Sequence, residues 1–342
     1  MQRLAIWPLF VNPQTDELLS SWLTRVAHSH HQKIYTFYRS GFKDKSRIWN
    51  IDIDRTERID LLELISKWSN TSLKDVQACT LNSLEGRLFL KKNIYGYTRW
   101  ILPLGIYHSK RKRPGLMYCP SCLNKDEAPY YRKKWRLALS VVCPDCHIWL
   151  KDRCAYCGQI VCFTRHELGK KNIMPNGPIS MCFNCGHDLR NVKCEPADDF
   201  ILEKQRLLYQ YIDKGHTDYI NYSHLYFDAL YQLLKVLNSD RKKSIPLQIA
   251  ISSELNIKYG YINNFSTENF EYKEVFERGK LLRMALSLLE NWPERFIGYC
   301  KDTKTSPSLL FKDAKSSDLI PFWYYSIIDR NLSNRIVSSG ER

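Results

Sequence analysis

Four pairs of cysteines with the spacing C-x-x-C lie between residues 119 and 185 of this 342-residue chain. The pairs are Cys119/Cys122, Cys143/Cys146, Cys154/Cys157 and Cys182/Cys185. Two intervening residues let one tight turn direct both sulfur atoms at a single ion, and two such turns supply the four tetrahedral positions of a structural Zn²⁺ site. The pattern therefore predicts two structural zinc ions, each held by four of these eight cysteines.

Spacing along the chain also indicates which pairs share an ion. The first and second pairs are separated by 20 residues, and the third and fourth by 24. Gly158 and Gly186 directly follow the third and fourth pairs, where the turn needs a residue that tolerates a positive φ. We therefore expect the first pair to join the second, and the third to join the fourth. An alternative joins the second pair to the nearby third and leaves the outer pairs to meet, and His147 could replace Cys146 as a ligand.

These sites suit a structural role better than a catalytic one. A catalytic zinc keeps one coordination position open for water, and four thiolates leave none open. The sequence also contains no H-E-x-x-H motif and no His-x-Glu ahead of a P-C-x-x-C. We predict no catalytic residue and no enzymatic activity. The remaining cysteines lack a partner at metal spacing and are predicted to be buried thiols: Cys79, Cys162, Cys194 and Cys300.

Positive charge is the second chemical feature of the chain. Lysine and arginine number 51 against 36 acidic residues, which gives a formal charge of +15 and favours a polyanionic partner such as nucleic acid. Two stretches concentrate this charge and are predicted to contact nucleic acid: Lys110, Arg111, Lys112 and Arg113, and then Arg132, Lys133, Lys134 and Arg136. The second stretch also fits a zinc ribbon whose Trp135 and Leu137 pack inward.

Targeting signals point to the cytosol. No run of 18 apolar residues exists, and the apolar start is interrupted by Pro8 without a small-residue cleavage site after it. We therefore expect a cytosolic protein that does not insert into a membrane. In that reducing compartment, paired cysteines indicate metal binding rather than disulfides.

Helical patterns surround the cysteines. Residues 13–40 place apolar side chains on one helical stripe that includes Trp22 and Leu23, and Thr15 resembles its N-cap. His28, His30 and His31 follow, but their spacing does not share one helical face, so we interpret them as exposed helix-end residues rather than metal ligands.

A second helical region contains a helix-turn-helix-like corner. The pattern predicts a helix from Thr56 to about Trp68, followed by another that a Ser72 capping box opens. Such a corner is typical of DNA-binding domains and also occurs in many other all-α domains. After Cys194 amphipathic helical patterns return, and the segment that begins at Ile245 is interpreted as a loose connector.

The sequence thus predicts a mainly α fold with a pair of zinc ribbons or fingers at its centre. We divide it into an N-terminal helical domain with the helix-turn-helix-like corner (1–107), a tandem zinc-binding domain (108–195) and a C-terminal helical domain (196–342).

Ordered motifs along the chain resemble the TniQ/TnsD family. The residues that match the family's opening are Pro8, Pro13, Glu17, Leu18, Ser21, Trp22, Leu23, Arg25 and Ala27. Those that match its next motif are Cys119, Cys122, Trp135, Cys143, Cys146 and Leu150. One departure is that many members carry histidine where Cys146 stands. The stretch from Leu289 to Phe296 is similar to the family's C-terminal helical region.

This resemblance implies a role in choosing where a transposon inserts. By resemblance, the protein is a non-enzymatic adaptor between a target-recognition complex, a CRISPR RNA-guided Cascade with its guide RNA, and an AAA+ regulator of the TnsC/TniB type. Target DNA and a second copy of the chain are further expected partners. The alternative is a TnsD-like protein that binds a specific double-stranded attachment site itself; the modest length of the chain favours the adaptor.

Overall fold

A computed structural model describes residues 7–42, 48–91, 96–107, 110–166, 179–257, 269–311 and 320–333. The chain divides into two compact units. The first comprises Met1–Glu85 and Lys91–Arg206, and the second comprises Gly86–Leu90 and Leu207–Arg342. The three-domain division with boundaries after residues 107 and 195 stays a prediction.

Helices dominate the described residues, which confirms the mainly α fold. The helices before the cysteine pairs are α1 (Leu19–Ser29), α2 (Ile34–Phe42), α3 (Ile59–Ser69) and α4 (Leu73–Ala78). Among the pairs lies α5 (Pro120–Lys125). The later helices are α6 (Asp199–Lys214), α7 (Ser223–Leu237), α8 (Ile245–Glu254), α9 (Val275–Leu288), α10 (Glu294–Asp302), α11 (Pro307–Leu310) and α12 (Phe322–Leu332). None of the helices in the described ranges has the length and apolar character needed to cross a bilayer.

Strand structure in the described part of the chain consists of two short antiparallel hairpins in the first unit. Strands β1 (Ile106–Tyr107) and β2 (Lys110–Arg111) pair with each other, as do β3 (Val142–Cys143) and β4 (Ile148–Trp149). The second hairpin sets the position of the second cysteine pair, because Cys143 ends β3 and Cys146 lies in the turn that follows.

The predicted apolar stripe of the first helix forms part of the core of the first unit. Trp22, Leu23 and Val26 are buried in a cluster to which Ile65 of α3 and Val76 of α4 also belong. Side chains at this spacing share one face of a helix, so burying that face stabilises α1 against its neighbours. The helix itself is confirmed.

The start of α1 differs from the prediction, because the helix begins at Leu19 instead of near Thr15. Thr15 and Asp16 lie in a turn, with φ +60° at Asp16, and Leu18 is extended. The Leu18 amide donates to the carbonyl of Tyr131 (2.9 Å), and the Lys133 amide donates to the carbonyl of Asp16 (2.7 Å). These backbone groups bond to a distant segment instead of to a first helical turn, so the residues before Leu19 lie outside the helix.

The α3–α4 corner matches the predicted pair of short helices. Asn70 ends α3 in the left-handed region (φ 55°), and Ser72 caps α4 by accepting a hydrogen bond from the Asp75 amide (3.1 Å). The first helix begins at Ile59, three residues later than predicted, because Thr56 is extended. Whether the corner contacts DNA stays a prediction.

The second unit is built around α7, which packs against α9 and α11. The short segment Gly86–Leu90 belongs to this unit, and the hydroxyl of Ser223 donates to the carbonyl of Arg87 (2.7 Å). The interpretation of the segment after Ile245 as a loose connector is wrong for its first part, and residues 258–266 of that segment lie outside the described residues. The first part forms α8, where Pro246 occupies a first-turn position in which its missing N–H costs no hydrogen bond.

Aromatic side chains near the C-terminus divide between the core and the surface of the second unit. Tyr324 is fully buried and stacks near Trp292, with ring centroids 6.0 Å apart. Phe322, two residues earlier on α12, is 76% exposed. The aromatic residues of α12 therefore pack into the core through one face of the helix only.

Candidate metal centres

The first and second cysteine pairs come together in what we call the first centre: Cys119, Cys122, Cys143 and Cys146. Cys119 is the N-cap of α5, where its sulfur accepts a hydrogen bond from the Cys122 amide (3.4 Å) and Pro120 follows it. The sulfur of Cys122 lies 3.5 Å from that of Cys143 and 3.6 Å from that of Cys146. A helix start and a hairpin turn thus each contribute two sulfur atoms.

The third and fourth pairs form the second centre: Cys154, Cys157, Cys182 and Cys185. Its sulfur atoms lie 3.8 Å apart between Cys154 and Cys185 and 3.7 Å apart between Cys157 and Cys182. The structure therefore forms the expected grouping, and the alternative grouping is wrong.

Matching turns build the two halves of the second centre. The Gly158 amide donates to the carbonyl of Cys154, and the Gly186 amide donates to the carbonyl of Cys182, each with a nitrogen–oxygen distance of 2.9 Å. Both glycines have a positive φ, 70° and 74°, which residues with a side chain rarely adopt. The two turns therefore present their sulfur atoms in the same way.

Both centres fit zinc in donor type and size. Four sulfur ligands at the usual Zn–S distance form a tetrahedron whose edges are about 3.8 Å. In each centre the four sulfur atoms lie within 4.8 Å of one another, with nearest pairs close to that edge length. All twelve cysteines are free of disulfides. The eight sulfur atoms could thus hold two metal ions, and sulfur-only tetrahedral sets favour Zn²⁺ or iron–sulfur chemistry among common metals.

His147 does not complete the first centre. Its Nε2 atom lies 2.9 Å from a guanidinium nitrogen of Arg206, and its backbone has φ +58°. Cys146 supplies the fourth sulfur atom, and Lys125 places its ammonium 3.8 Å from that sulfur. The four sulfur atoms of the first centre thus come together without His147.

The two centres differ in exposure. In the first, Cys119, Cys122 and Cys143 are buried and Cys146 is half-buried. In the second, Cys154 and Cys182 are buried, Cys157 is half-buried and Cys185 is exposed. Near it, Tyr156 is 76% exposed and stacks on the His187 ring at 5.4 Å between centroids. The second centre therefore has one side open to solvent.

Outside the centres, three of the remaining cysteines behave as predicted. Cys79, Cys162 and Cys300 are buried, whereas Cys194 is half-buried. Burial raises the pKa of Cys79 and of Cys300 to about 12. These two thiols stay protonated at neutral pH and are poor nucleophiles.

His28, in the last turn of α1, and His30, its C-cap, make side-chain contacts with neighbouring groups. His30 places Nδ1 2.7 Å from the carbonyl of Val26. His28 stacks on His166 with centroids 6.0 Å apart and is half-buried, so it is less exposed than predicted. Burial, and secondarily the proximity of His166, lowers the pKa of His28 to about 4.

The first basic stretch lies on the β1–β2 hairpin and directly after it. Lys110, Lys112 and Arg113 are exposed. The Lys112 ammonium lies 4.5 Å from the centre of the Tyr107 ring, and the Arg111 guanidinium lies 5.4 Å from the Phe163 ring centre. This hairpin presents cations and an exposed aromatic ring together, a combination suited to phosphate and base contacts.

The second basic stretch is bound up in internal contacts. Arg132 forms an ion pair with Asp126 (2.7 Å). Lys133 donates to the carbonyl of Ala78 (2.5 Å) and to the hydroxyl of Ser83 (3.1 Å). Lys134 is half-buried next to them. Trp135 and Leu137 are buried, which confirms the inward packing of this segment.

The prediction that Arg136 contacts nucleic acid is wrong, because this side chain is fully buried in an ion cluster. Its guanidinium donates to the carboxylates of Asp52 (2.6 Å) and Asp54 (3.1 Å) and to the carbonyl of Leu102 (3.0 Å). The guanidinium lowers the pKa of Asp52 against the opposing effect of burial. Asp54 also accepts hydrogen bonds from the amide and hydroxyl of Ser20, at 2.7 and 2.8 Å.

A second charged pair that sequence reasoning did not find lies at the start of α1. Glu17 is buried and accepts two hydrogen bonds from the Arg25 guanidinium, at 2.7 and 2.9 Å, and one from the Ser21 hydroxyl. The eight-residue separation of Glu17 and Arg25 gave a weak signal, since it spans about two helical turns. Three of the residues that resemble the family's opening thus form one polar contact set.

Comparison with known protein families gives a match to the first part of the chain. Residues 8–150 match the model of the TniQ family. The matched segment runs from the chain before α1 through the whole first centre and stops before the second. No curated protein matches the chain.

Proposed function

This chain carries a TniQ domain, and from that premise we propose that the protein is a non-enzymatic adaptor that selects target sites for DNA transposition. The family match carries the proposal, because it covers both the polar contact set of α1 and the first centre. Sulfur-only centres support it as well, since four thiolates around each ion keep no position for substrate or water.

We propose that each centre holds one Zn²⁺ ion in a structural role. The residues that would bind the ions are the eight cysteines of the two centres, and the ions would join loops whose described residues contain little regular structure. Metal analysis of the purified full-length protein tests this, with two zinc ions per chain as the expected result. One ion or none, or iron in place of zinc, contradicts it.

The partners that we propose are a Cascade complex with guide RNA on one side and an AAA+ regulator of the TnsC/TniB type on the other. The test is a pull-down of tagged full-length protein with each partner, both produced from the same mobile element. The expected result is retention of both partners and a ternary complex on gel filtration. An unrelated zinc-ribbon protein with the same tag is the control, and retention of neither partner contradicts the proposal.

A second candidate function is direct recognition of a double-stranded attachment site. It is favoured by the distribution of charge: of the formal +15, the first unit carries +12 and the second +3. The exposed hairpin cations and the α3–α4 corner lie in that same unit.

Salt dependence and sequence dependence separate this function from the adaptor role. A site-specific DNA-binding protein is expected to prefer its site by about 10³-fold or more, with an affinity that falls steeply as salt rises. Lys110→Ala with Lys112→Ala should lower that slope by about two. Glu203→Ala with Lys204→Ala is a charge-neutral control at another surface of the chain. Absent or sequence-independent binding excludes the candidate.

A further inference from the structure

The two centres have the same ligands, and access to their sulfur atoms sets them apart. Cys185 of the second centre is exposed and Cys157 is half-buried, whereas three sulfur ligands of the first centre are buried. Oxidants react with thiolate sulfur at a rate that depends on access and on nucleophilicity. The sulfur atoms of the second centre are therefore more accessible to oxidants than those of the first centre.

Charge near the sulfur atoms affects their nucleophilicity. The Lys125 ammonium lies 3.8 Å from the most accessible sulfur of the first centre, that of Cys146. A cation at that distance stabilises the electron pair of the thiolate, which weakens it as a nucleophile. Arg132 lies in the same part of the first unit and raises the positive charge around Cys122. The sulfur atoms of the first centre are thus less accessible to an oxidant, and the nearby positive charge lowers their nucleophilicity.

From these differences we propose that the second centre is a peroxide-sensitive modification site, in which Cys185 is oxidised first and the centre releases its zinc as disulfides form. The inference rests on the proposed zinc occupancy and adds to it a difference between the two centres. The reactant is hydrogen peroxide, and the first centre is expected to keep its ion under the same exposure.

The reaction balances within the cluster. The Cys185 thiolate attacks one peroxide oxygen, the O–O bond breaks, and hydroxide leaves, so that a sulfenic acid forms on Cys185. The sulfur of Cys154 lies 3.8 Å away and displaces hydroxide from the sulfenic acid to form the S–S bond. The two sulfur atoms lose two electrons in total, and the peroxide with two protons becomes two molecules of water. Cys157 and Cys182, 3.7 Å apart, form the second disulfide with a second peroxide.

Loss of the second ion has a local structural consequence. The turns at Gly158 and Gly186 are each closed by two backbone hydrogen bonds of their own, and the ion would join one turn to the other through the four sulfur atoms. The buried cluster that holds α1 to α4 together draws its members from residues between 7 and 79, and the segment 154–185 contacts α1 from outside that cluster, through the turn Phe163–Arg165 and His166. Oxidation should therefore loosen this segment while α1 to α4 stay folded.

The experiment is a stepwise peroxide titration of zinc-loaded full-length protein, with released zinc measured by a coloured chelator and disulfides mapped by mass spectrometry. Zinc content before oxidation is measured first, and fewer than two ions per chain refutes the zinc proposal itself. With two ions bound, the expected result is release of one ion, with disulfides confined to Cys154, Cys157, Cys182 and Cys185. Equal release from both centres, earlier release from the first, or no release overturns the inference while zinc occupancy stands.

Matched variants sharpen the result. Cys185→His keeps a zinc ligand and removes the exposed sulfur, so peroxide-driven zinc release should slow by about tenfold or more. Cys146→His makes the same change at the first centre and should leave the release rate unchanged. An unchanged rate in Cys185→His overturns the assignment of Cys185. If that variant does not hold two ions, the disulfide map of the unaltered protein decides.

Discussion

The first centre lies among buried residues, and the second lies at the surface of the same unit. Cys119 and Cys122 are neighbours of Tyr118 and Leu123, both fully buried, and the Tyr118 backbone pairs with Lys151 beyond β4. The second centre joins two small turns and is flanked by the exposed Tyr156. The same set of four cysteines can thus lie within a core or hold two turns together near the surface, and the burial of the surrounding residues makes the difference.

The largest expected difference between the centres comes from removing one sulfur ligand from each. Cys122→Ser should unfold much of the first unit, because zinc binding of about 10–16 kcal/mol and folding are one equilibrium at such sites. Cys157→Ser should lose one ion and free only the segment 154–185. Zinc content and hydrogen exchange of both variants provide the measurement. Equal loss of protection around α1 in the two variants would contradict the distinction.

A smaller but still large effect is expected at the ion cluster beside the first centre. Arg136→Ala leaves the buried Asp54 carboxylate and the half-buried Asp52 carboxylate without this cation, which should cost about 3–5 kcal/mol in the free energy of unfolding. The matched change near the second centre is Arg190→Ala, which breaks a partly exposed pair with Asp188 and should cost at most about 1 kcal/mol. Urea unfolding of the zinc-loaded variants measures both. Similar losses would show that burial does not separate the two regions.

Acid should weaken the contact between His28 of α1 and His166, which follows the third cysteine pair. The folded-state pKa of His28 is about 4, below the unfolded value of 6.5, so the unfolded chain binds its proton first as pH falls. Stability from neutral His28 is complete above pH 6.5 and is lost between pH 6.5 and 4, by up to about 3 kcal/mol. The measurement is the difference between the unaltered protein and His28→Phe over that range. A constant difference would refute it.

The smallest expected effect is at the exposed face of the second centre. Tyr156→Ala should change the free energy of unfolding by less than about 0.5 kcal/mol, because its ring is mostly in water. Tyr131→Ala, in the buried segment between the first two cysteine pairs, should cost about 3–5 kcal/mol. Thermal unfolding of both variants compares them directly. A large loss in Tyr156→Ala would mean that the second centre depends on its surface ring.

Features that depend on near neighbours in sequence were predictable. The C-x-x-C spacing with its following glycines gave the correct grouping of cysteines, because a turn of that length directs two sulfur atoms to one point. The Ser72 cap and the apolar stripe of α1 are equally local. Each of these signals is read within one or two turns of chain.

Features that depend on distant partners were not predictable. Arg136 has the sequence environment of a surface cation, and its partners Asp52 and Asp54 lie 84 and 82 residues earlier. The later start of α1 has the same cause, since local signals favoured a helix near Thr15 and backbone pairing with the segment around Tyr131 prevailed. Local patterns cannot identify a tertiary contact that outweighs them.

The pairing of residues 16–18 with the segment around Tyr131 has a consequence for synthesis on the ribosome. The Lys134 amide also donates to the Asp16 carboxylate, across 118 residues of chain. The N-terminal helices therefore emerge long before the backbone that fixes the entrance to α1, and that backbone lies between the two halves of the first centre. With the zinc occupancy proposed above, completion of the earliest-made part of the protein waits until the cysteines of the first centre are translated and bind their ion, so a shortage of zinc would leave the nascent N-terminal part incompletely folded.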